Sequence, residues 1–525
     1  MKIRLTMLVM LAVFIFFVPV YAMSGLTPGG ELIITTSGQL AEIQRQADLY
    51  VSTNGRDGSI EYLSKAYVLD ADINLPEDWQ PIGSKEYPFR GSLNGNGHKI
   101  SGLTTEKAPH SGLFGRMEGA YISNLVLVDA KILLSGSPNG EVYAGLLVGE
   151  AANSHIFDVA VYGEISAGDV SHGYIGGLAG GLFNCLAERV YIDADIKSMA
   201  TAGGVVGLSR DSDFYHTDGR GNVAGETAGG FAGNLEGNCI IRECSSNAGT
   251  TGKIAGGFAG QASGNKLTTN ANHTIRIYNS QAMGKVVADA GIAGGFIGQG
   301  EYVLVSECFA AGDTGGGVAG GFVGRLSHRS LVVHSFAKGN VEHFGPVGFA
   351  GGFVGEITNS SCIEFAYASG AVVSNAHSAA VSMASDTNLE NHRRQHIAEN
   401  GFKPPVFRSV ADVIFRDSYD LDFLAIGGFA GMVSGEGAPN TLTHCLSLAP
   451  WVVGPKNSYV NRFAGIVAQG GINGCYAHMG SMVVLDGALS HVLPSPFGAD
   501  GADMSSGQVE DVAARLGWRL VIPTT

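Results

Sequence analysis

One five-residue phrase, Gly-Gly-apolar-small-Gly, returns along this chain often enough to dictate its architecture. It ends at Gly115 (Ser-Gly-Leu-Phe-Gly), Gly149, Gly180, Gly207, Gly233, Gly260, Gly298, Gly324, Gly355 and Gly431, and a worn copy, Ala-Gly-Ile-Val-Ala, ends at Ala468. The steps between final positions are 34, 31, 27, 26, 27, 38, 26, 31, 76 and 37 residues, so a unit of about 26 recurs with insertions. Self-similarity at such a period signals stacked units rather than separate globular domains. Between the glycines stand segments such as Thr274-Ile275-Arg276-Ile277-Tyr278 and Tyr302-Val303-Leu304-Val305, β-branched or alternating and without helical spacing. Strands of four to six residues, punctuated by glycine, predict an all-β, right-handed parallel β-helix (solenoid) with helical caps and one helical insertion. Eleven to thirteen coils at ~4.8 Å make a rod of roughly 55–60 Å.

On that fold the apolar residue of each copy stacks on the next: Leu113, Leu147, Leu178, Val205, Phe231, Phe258, Phe296, Phe322, Phe353, Phe429 and Ile466 form one internal column. The flanking glycines let successive backbones approach closely. A second column is expected where cysteine and serine alternate, at Cys244, Ser280, Cys308 and Ser335, with Cys185, Cys362, Cys445 and Cys475 opening similar segments. Small residues sharing a slot read as buried, so the seven cysteines are expected mainly as thiols, with a local Cys239–Cys244 pair as the alternative.

Glycine, 78 of 525 residues, displaces charge: only 15% of the chain is Asp, Glu, Lys or Arg. With 45% hydrophobic residues the chain is nevertheless committed to folding. A net charge of −15 and a pI near 5.4 disfavour a phosphate-binding surface, so no nucleic-acid partner is expected. Residues 1–22 pair a basic start (Lys2, Arg4) with an apolar run and Val20-Tyr21-Ala22, the pattern of a secretory signal. No second apolar run is long enough to span a membrane after its removal. The remaining chain divides into an N-terminal cap and first coils (23–104), repeats (105–374), a projecting insertion (375–423), last coils (424–480) and a C-terminal cap (481–525). Within the first region Leu32 to Thr36 and Tyr67 to Leu75 read as strands and Ser37 to Leu49 as a helix. At the other end Ser505 to Leu516 reads as a helix.

The repeats, together with the segment from Asp72-Ile73 through Trp79-Gln80-Pro81-Ile82-Gly83 to Phe89-Arg90-Gly91-Ser92-Leu93-Asn94-Gly95-Asn96-Gly97-His98-Lys99-Ile100, resemble the GLUG-repeat proteins of bacteria. Gly517-Trp518 after a short helix is similar to the end of such blocks. The resemblance covers about residues 30–525 and implies a secreted or cell-surface, adhesin-like β-helix without a reaction of its own. Leu146, where a second glycine is expected, and Ala468 depart from the pattern.

Catalytic motifs are sparse. His392-Arg393-Arg394-Gln395-His396 has the histidine spacing of a metalloprotease helix but arginine in place of the glutamate base. There is no GxSxG elbow and no P-loop. Asp193 and Asp195 alternate with Ile192, Ala194 and Ile196, so both carboxylates face outward, with Arg189 just before them; no matching charge is evident in the next coil over 202–219. Paired carboxylates could do glycoside acid–base work or hold Ca²⁺, but outward charges at i and i+2 are what any solvated strand face shows, and that is the preferred reading. Asp211-Ser212-Asp213 with Asp218 fits a plain turn or a weak Ca²⁺ site. The reading is therefore a non-catalytic surface protein, without cofactor or metal, that binds a surface polysaccharide or a host or matrix protein as a monomer. A β-helical polysaccharide lyase or glycoside hydrolase, or a structural stalk, are the alternatives.

Overall fold

A computed structural model describes residues 30–106, 109–135, 140–265, 275–374, 424–434, 440–456, 458–468, 470–485, 488–490, 498–505, 508, 509 and 511. The expected leader 1–22, the expected insertion 375–423 with His392 and His396, and Gly517-Trp518 lie outside the described residues, as does most of the expected C-terminal helix. The rest is a parallel β-helix. Its clearest wall is a sheet of eleven strands, each immediately after the Gly-Gly bend, running from Phe114–Glu118 to Ala464–Val467 in sequence order. Each strand pairs in parallel with its counterpart one coil away, for example Ala232↔Ala259 and Ala259↔Ile297.

The bend explains the motif. A Cβ on the second glycine would meet the carbonyl oxygen of the next coil at 2.1–2.3 Å at Gly204, Gly230, Gly257, Gly295, Gly321, Gly352 and Gly428. Only hydrogen fits there. The apolar residue that follows points inward, and the phenylalanines from Phe231 to Phe429 stack ring on ring at 4.6–5.0 Å between centroids, nearly coplanar. The last member of this column corrects the expected register. It is Phe463, stacked 5.0 Å from Phe429, and Ile466 pairs instead with Met432 on the neighbouring strand. The true final copy is Asn461-Arg462-Phe463-Ala464-Gly465, hidden because neither of its first two residues is glycine. Arg462 occupies the slot that Gly428 fills one coil earlier, with its side chain 2% exposed and Nη1 2.7 Å from Asp503 Oδ1.

Cysteine and serine occupy two columns rather than one. Ser154, Cys185, Ser212 and Cys239 stack at one corner; Thr217, Cys244, Ser280, Cys308, Ser335, Ala366, Cys445 and Cys475 stack at another. At Cys185, Ser280 and Cys308, for example, the side chain accepts a backbone N–H from the coil before and donates to the carbonyl two residues back. Cys185 N to Ser212 Oγ (3.0 Å), Cys308 N to Ser335 Oγ (3.2 Å) and Ser280 Oγ to Tyr278 O (2.8 Å) are bonds of this kind. A corner N–H cannot join the ladder, so a small donor–acceptor satisfies it from within. All seven cysteines are free thiols, and Cys239 and Cys244 belong to different corners. Cys362 belongs to neither column and is half-buried.

Immediately before the second column the chain turns through left-handed backbone at Asn124, Asp158, Arg189, His216, Glu243, Asn279, Glu307, His334, Phe365 and His444, with φ between 47° and 58°. Such φ is uncommon for residues other than glycine and asparagine. Here the coils above and below hold it in place.

Two further expectations change. The strand over Tyr67 to Leu75 is broken into Ala66–Leu69 and Ile73–Asn74. Three early coils instead carry thirteen-residue strands, Tyr121–Leu133, His155–Ala167 and Leu186–Ser198, longer than the four to six residues expected and bent at the left-handed Asn124, Asp158 and Arg189. The N-terminal helix runs Ser37–Ser52, capped by Thr36 and Gln39 in a reciprocal capping box, and buries Leu40, Ile43 and Ala47 at that end of the core. Across residues 375–423 the coil resumes in register: His343 pairs with Ser374 and Gly348 with Leu424. The preceding coil crosses that corner with only 344–347.

Candidate functional site

The three long strands and the coil after them share a regular outer face. Alternation buries Ile192, Ala194 and Ile196 and turns Asp193, Asp195 and Lys197 to solvent. Stacking then decides which groups meet. Asp193 lies between Tyr162 of the coil before and Arg220 of the coil after; Asp195 lies between Glu164 and Asn222. The next coil therefore does carry matching groups, just past the 202–219 window, because the coils here are offset by a constant 27 residues, from Leu186↔Asp213 to Ile196↔Val223.

Aromatic and charged groups interleave on this face. The rings of Tyr162 and Tyr191 lie 5.7 Å apart, tilted by 44°, and the Arg220 guanidinium sits 5.3 Å over Tyr191. Tyr162 is 39% exposed, unusual for a residue of its size on a solvated sheet. Lys131 pairs with Glu164 across the first two strands. Asp195 Oδ1 accepts both Asn222 N (2.8 Å) and Asn222 Nδ2 (2.9 Å). It is thereby committed to holding the next coil. Arg189 turns away to the left-handed corner, paired with Asp158 and stacked 4.0 Å over Phe157. Its hydrogen bonds hold the Asp158 carboxyl below the usual carboxylate range.

The same use of aspartate accounts for the expected turn at 211–218. Asp211 Oδ1 accepts Asn238 N (2.8 Å), Asp213 Oδ1 accepts Ile240 N (2.8 Å), and Asp218 accepts the Ser245 hydroxyl. These carboxylates point to successive partners in the next coil and do not converge on one point. Burial raises the Asp213 carboxyl. Among the described residues no group of three or more His, Cys, Asp or Glu is arranged to hold a metal ion, and no described helix is long and apolar enough to cross a membrane.

One cluster was not legible in the sequence. Facing each other across the concave Gly-Gly bend, His110 Nε2 (3.0 Å) and Arg116 Nη2 (3.2 Å) both approach the Glu150 carboxylate, and His110 stacks on Tyr143 at 5.7 Å. Burial alone would raise the Glu150 carboxyl, but these two partners bring it below its ordinary value. Arg116 and Glu150 each follow a motif-ending glycine, the one signal that could have aligned them. Near the N-terminal helix an open hollow of about 320 Å³, lined by Leu63, Lys65, Tyr87 and Arg90 among others, contains no converging acid–base pair.

Fold and face together define a parallel β-solenoid with an aromatic and charged outer strip. No family model matches the chain. A stretch of 94 residues is 33% identical to the "Putative Gly-rich membrane protein" of Evansella cellulosilytica, covering 16% of this chain and 11% of that protein. The match thus spans about a tenth of the relative's length. Among solved structures, the crystal structure of a "putative immunoglobulin A1 protease" from Bacteroides ovatus aligns over 93% of this chain and 88% of that one, at 13% identity and a TM-score of 0.21.

Proposed function

We propose that this chain is a β-helical protein of the cell surface or extracellular space that binds glycan chains on the strip around Tyr162, Tyr191, Asp193 and Arg220, without cleaving them. The observation that carries the reading is the Tyr162–Tyr191 pair, the first exposed and the second half-buried, flanked by carboxylate, amide and guanidinium groups at coil spacing. Aromatic faces suit the apolar face of a sugar ring, and the flanking groups offer donors and acceptors to its hydroxyls. The likeness of the repeats to GLUG-repeat surface proteins supports the same setting. The relative from Evansella is itself named a membrane protein, and glycine-rich. Of the two carboxylates that a hydrolase would need, Asp195 already serves Asn222, which weighs against catalysis.

The test is to incubate the purified chain with immobilised polysaccharides and matrix glycoproteins, scoring retention and release of soluble fragments. Retention without fragments is expected, weakened about tenfold or more, some 1.4 kcal/mol, in the double variant Tyr162→Ala/Tyr191→Ala. Retention that survives this variant but disappears when 375–423 is deleted moves the site to the insertion. Fragment release overturns the non-catalytic reading, and absence of any retention favours a structural stalk.

A further inference from the structure

Six of the seven cysteines sit in the two internal corner columns, and within those columns almost every thiol is separated from the next by a residue that cannot bond to it. Cys185 stacks between Ser154 and Ser212, Cys244 between Thr217 and Ser280, and Cys308 between Ser280 and Ser335. Cys239 follows Ser212 and precedes Ile275. At the C-terminal end this separation fails. Leu446 pairs with Tyr476 and Tyr476 N donates to Cys445 O at 2.9 Å, so Cys445 and Cys475 are direct neighbours on adjacent coils. They occupy the same corner column one coil apart. Parallel neighbours stand ~4.8 Å apart at Cα, inside the ~4.4–6.8 Å range that a disulfide spans.

We infer that Cys445 and Cys475 are an oxidisable pair whose disulfide staples the last coil to the one before it. The chemistry is exchange with a small external disulfide. One cysteine, as thiolate, attacks it and expels a first thiol; the second cysteine resolves the mixed disulfide and expels the other. One S–S bond forms in the protein and one is lost in the oxidant, whose two sulfurs carry away two electrons and two protons as thiols. Both cysteines are fully buried, and Ala502–Met504 pair over the coil that carries Cys475, so exchange proceeds through opening of that end of the rod, segment 502–504 included. Burial pushes the Cys445 thiol up, which disfavours its thiolate in the closed rod. The inference concerns the rod alone and holds whether or not the outer face binds glycan.

The experiment equilibrates the purified full chain in glutathione buffers from fully reduced to mostly oxidised, with mild heating to permit opening. The chain is then quenched in acid, unfolded, alkylated with N-ethylmaleimide and weighed intact. Seven adducts are expected from reduced chain and five from oxidised chain, seven less the bonded two, with peptide mapping placing the missing labels at Cys445 and Cys475. In Cys475→Ser, which introduces the slot's other natural occupant, six adducts are expected under both conditions. A Cys308→Ser control should fall from six to four. Seven adducts at every oxidised ratio overturn the inference, as does loss of label from any other two cysteines or a persistent glutathione adduct in place of the bridge.

Discussion

Replacing Gly321 by alanine tests the reason given for the repeat. An alanine Cβ there would lie 2.1 Å from the Gly352 carbonyl oxygen, with Gly352 C at 3.1 Å and Ala337 Cβ at 3.2 Å. Ordinary contact starts near 3.4 Å, so the two coils must part by about 1.3 Å. The obstruction is backbone and has no rotamer to escape into. Parting by that much stretches the bonds from Gly321 N to Gly351 O (3.2 Å) and from Phe322 N to Phe353 O (2.8 Å) beyond hydrogen-bonding range. Two lost bonds cost about 1 kcal/mol each, and residual overpacking adds ~1–3 kcal/mol. Loss of glycine's freedom in the unfolded chain returns ~0.4–1 kcal/mol. The expected net destabilisation is about 2–4 kcal/mol, read from urea unfolding followed by far-UV circular dichroism, with hydrogen exchange locating the loosened coils at 321 and 352. The matched control is Gly168→Ala, where nothing lies within 4 Å and the change should stay within about 0.5 kcal/mol of the parent. Equal stabilities for the two variants would refute the close-approach explanation.

Other consequences are as direct. Phe322 stacks between Phe296 (4.9 Å) and Phe353 (4.8 Å), so Phe322→Ala should cost roughly 3–5 kcal/mol in the same unfolding assay. Phe322→Leu, which borrows the residue of the earlier coils, should cost less than half of that; equal losses would mean the column is not packing as described. His343 is fully buried, bonded to Val347 O and Ser374 Oγ, and desolvation lowers its pKa. Its folded pKa lies below the unfolded value near 6.5, so the unfolded chain binds the extra proton first. Stability is therefore full above about pH 6.5 and falls as pH drops below it. Unfolding midpoints measured from pH 7.5 to 5 should decline in the parent and decline less in His343→Gln; parallel curves would remove His343 from the account.

The rod itself was legible because glycine spacing and β-branched segments leave a chain few other ways to bury its apolar residues. The Phe231–Phe429 column followed from the phrase alone. What escaped the sequence was set by stacking register. Phe463 was missed because Asn461 and Arg462 replace the glycines that mark every neighbouring copy. The two cysteine corners merged into one because both use the same small donor–acceptor chemistry, and only pairing separates Cys185 from Cys244. The left-handed corner was invisible because Arg189, Glu243 and Phe365 hold it without glycine or asparagine. On the outer face, Asp193 and Asp195 were found from alternation, whereas Tyr162, Arg220 and Asn222 needed the coil offset. His110, Arg116 and Glu150 meet only through the fold of the bend.

Arg462 carries a consequence for how one coil accepts the next. A parallel β-helix has no inherent length: each coil offers the following one the same pattern of N–H and C=O groups, and two exposed ends are invitations to join end to end. Glycine at the bend lets the carbonyl of another layer approach, as the one packed against Gly428 illustrates. An arginine at that slot occupies the space such a carbonyl needs. Phe463 N and Ala464 N donate to Ala499 O as Phe429 N and Ala430 N donate to Phe463 O one coil earlier, whereas Arg462 N donates to the Asp500 side chain in place of a backbone carbonyl. At this bend the backbone ladder still continues through Phe463, while the arginine exchanges the glycine-to-carbonyl contact for an ion pair with Asp503, so one substitution changes how the following layer is held rather than whether it stacks.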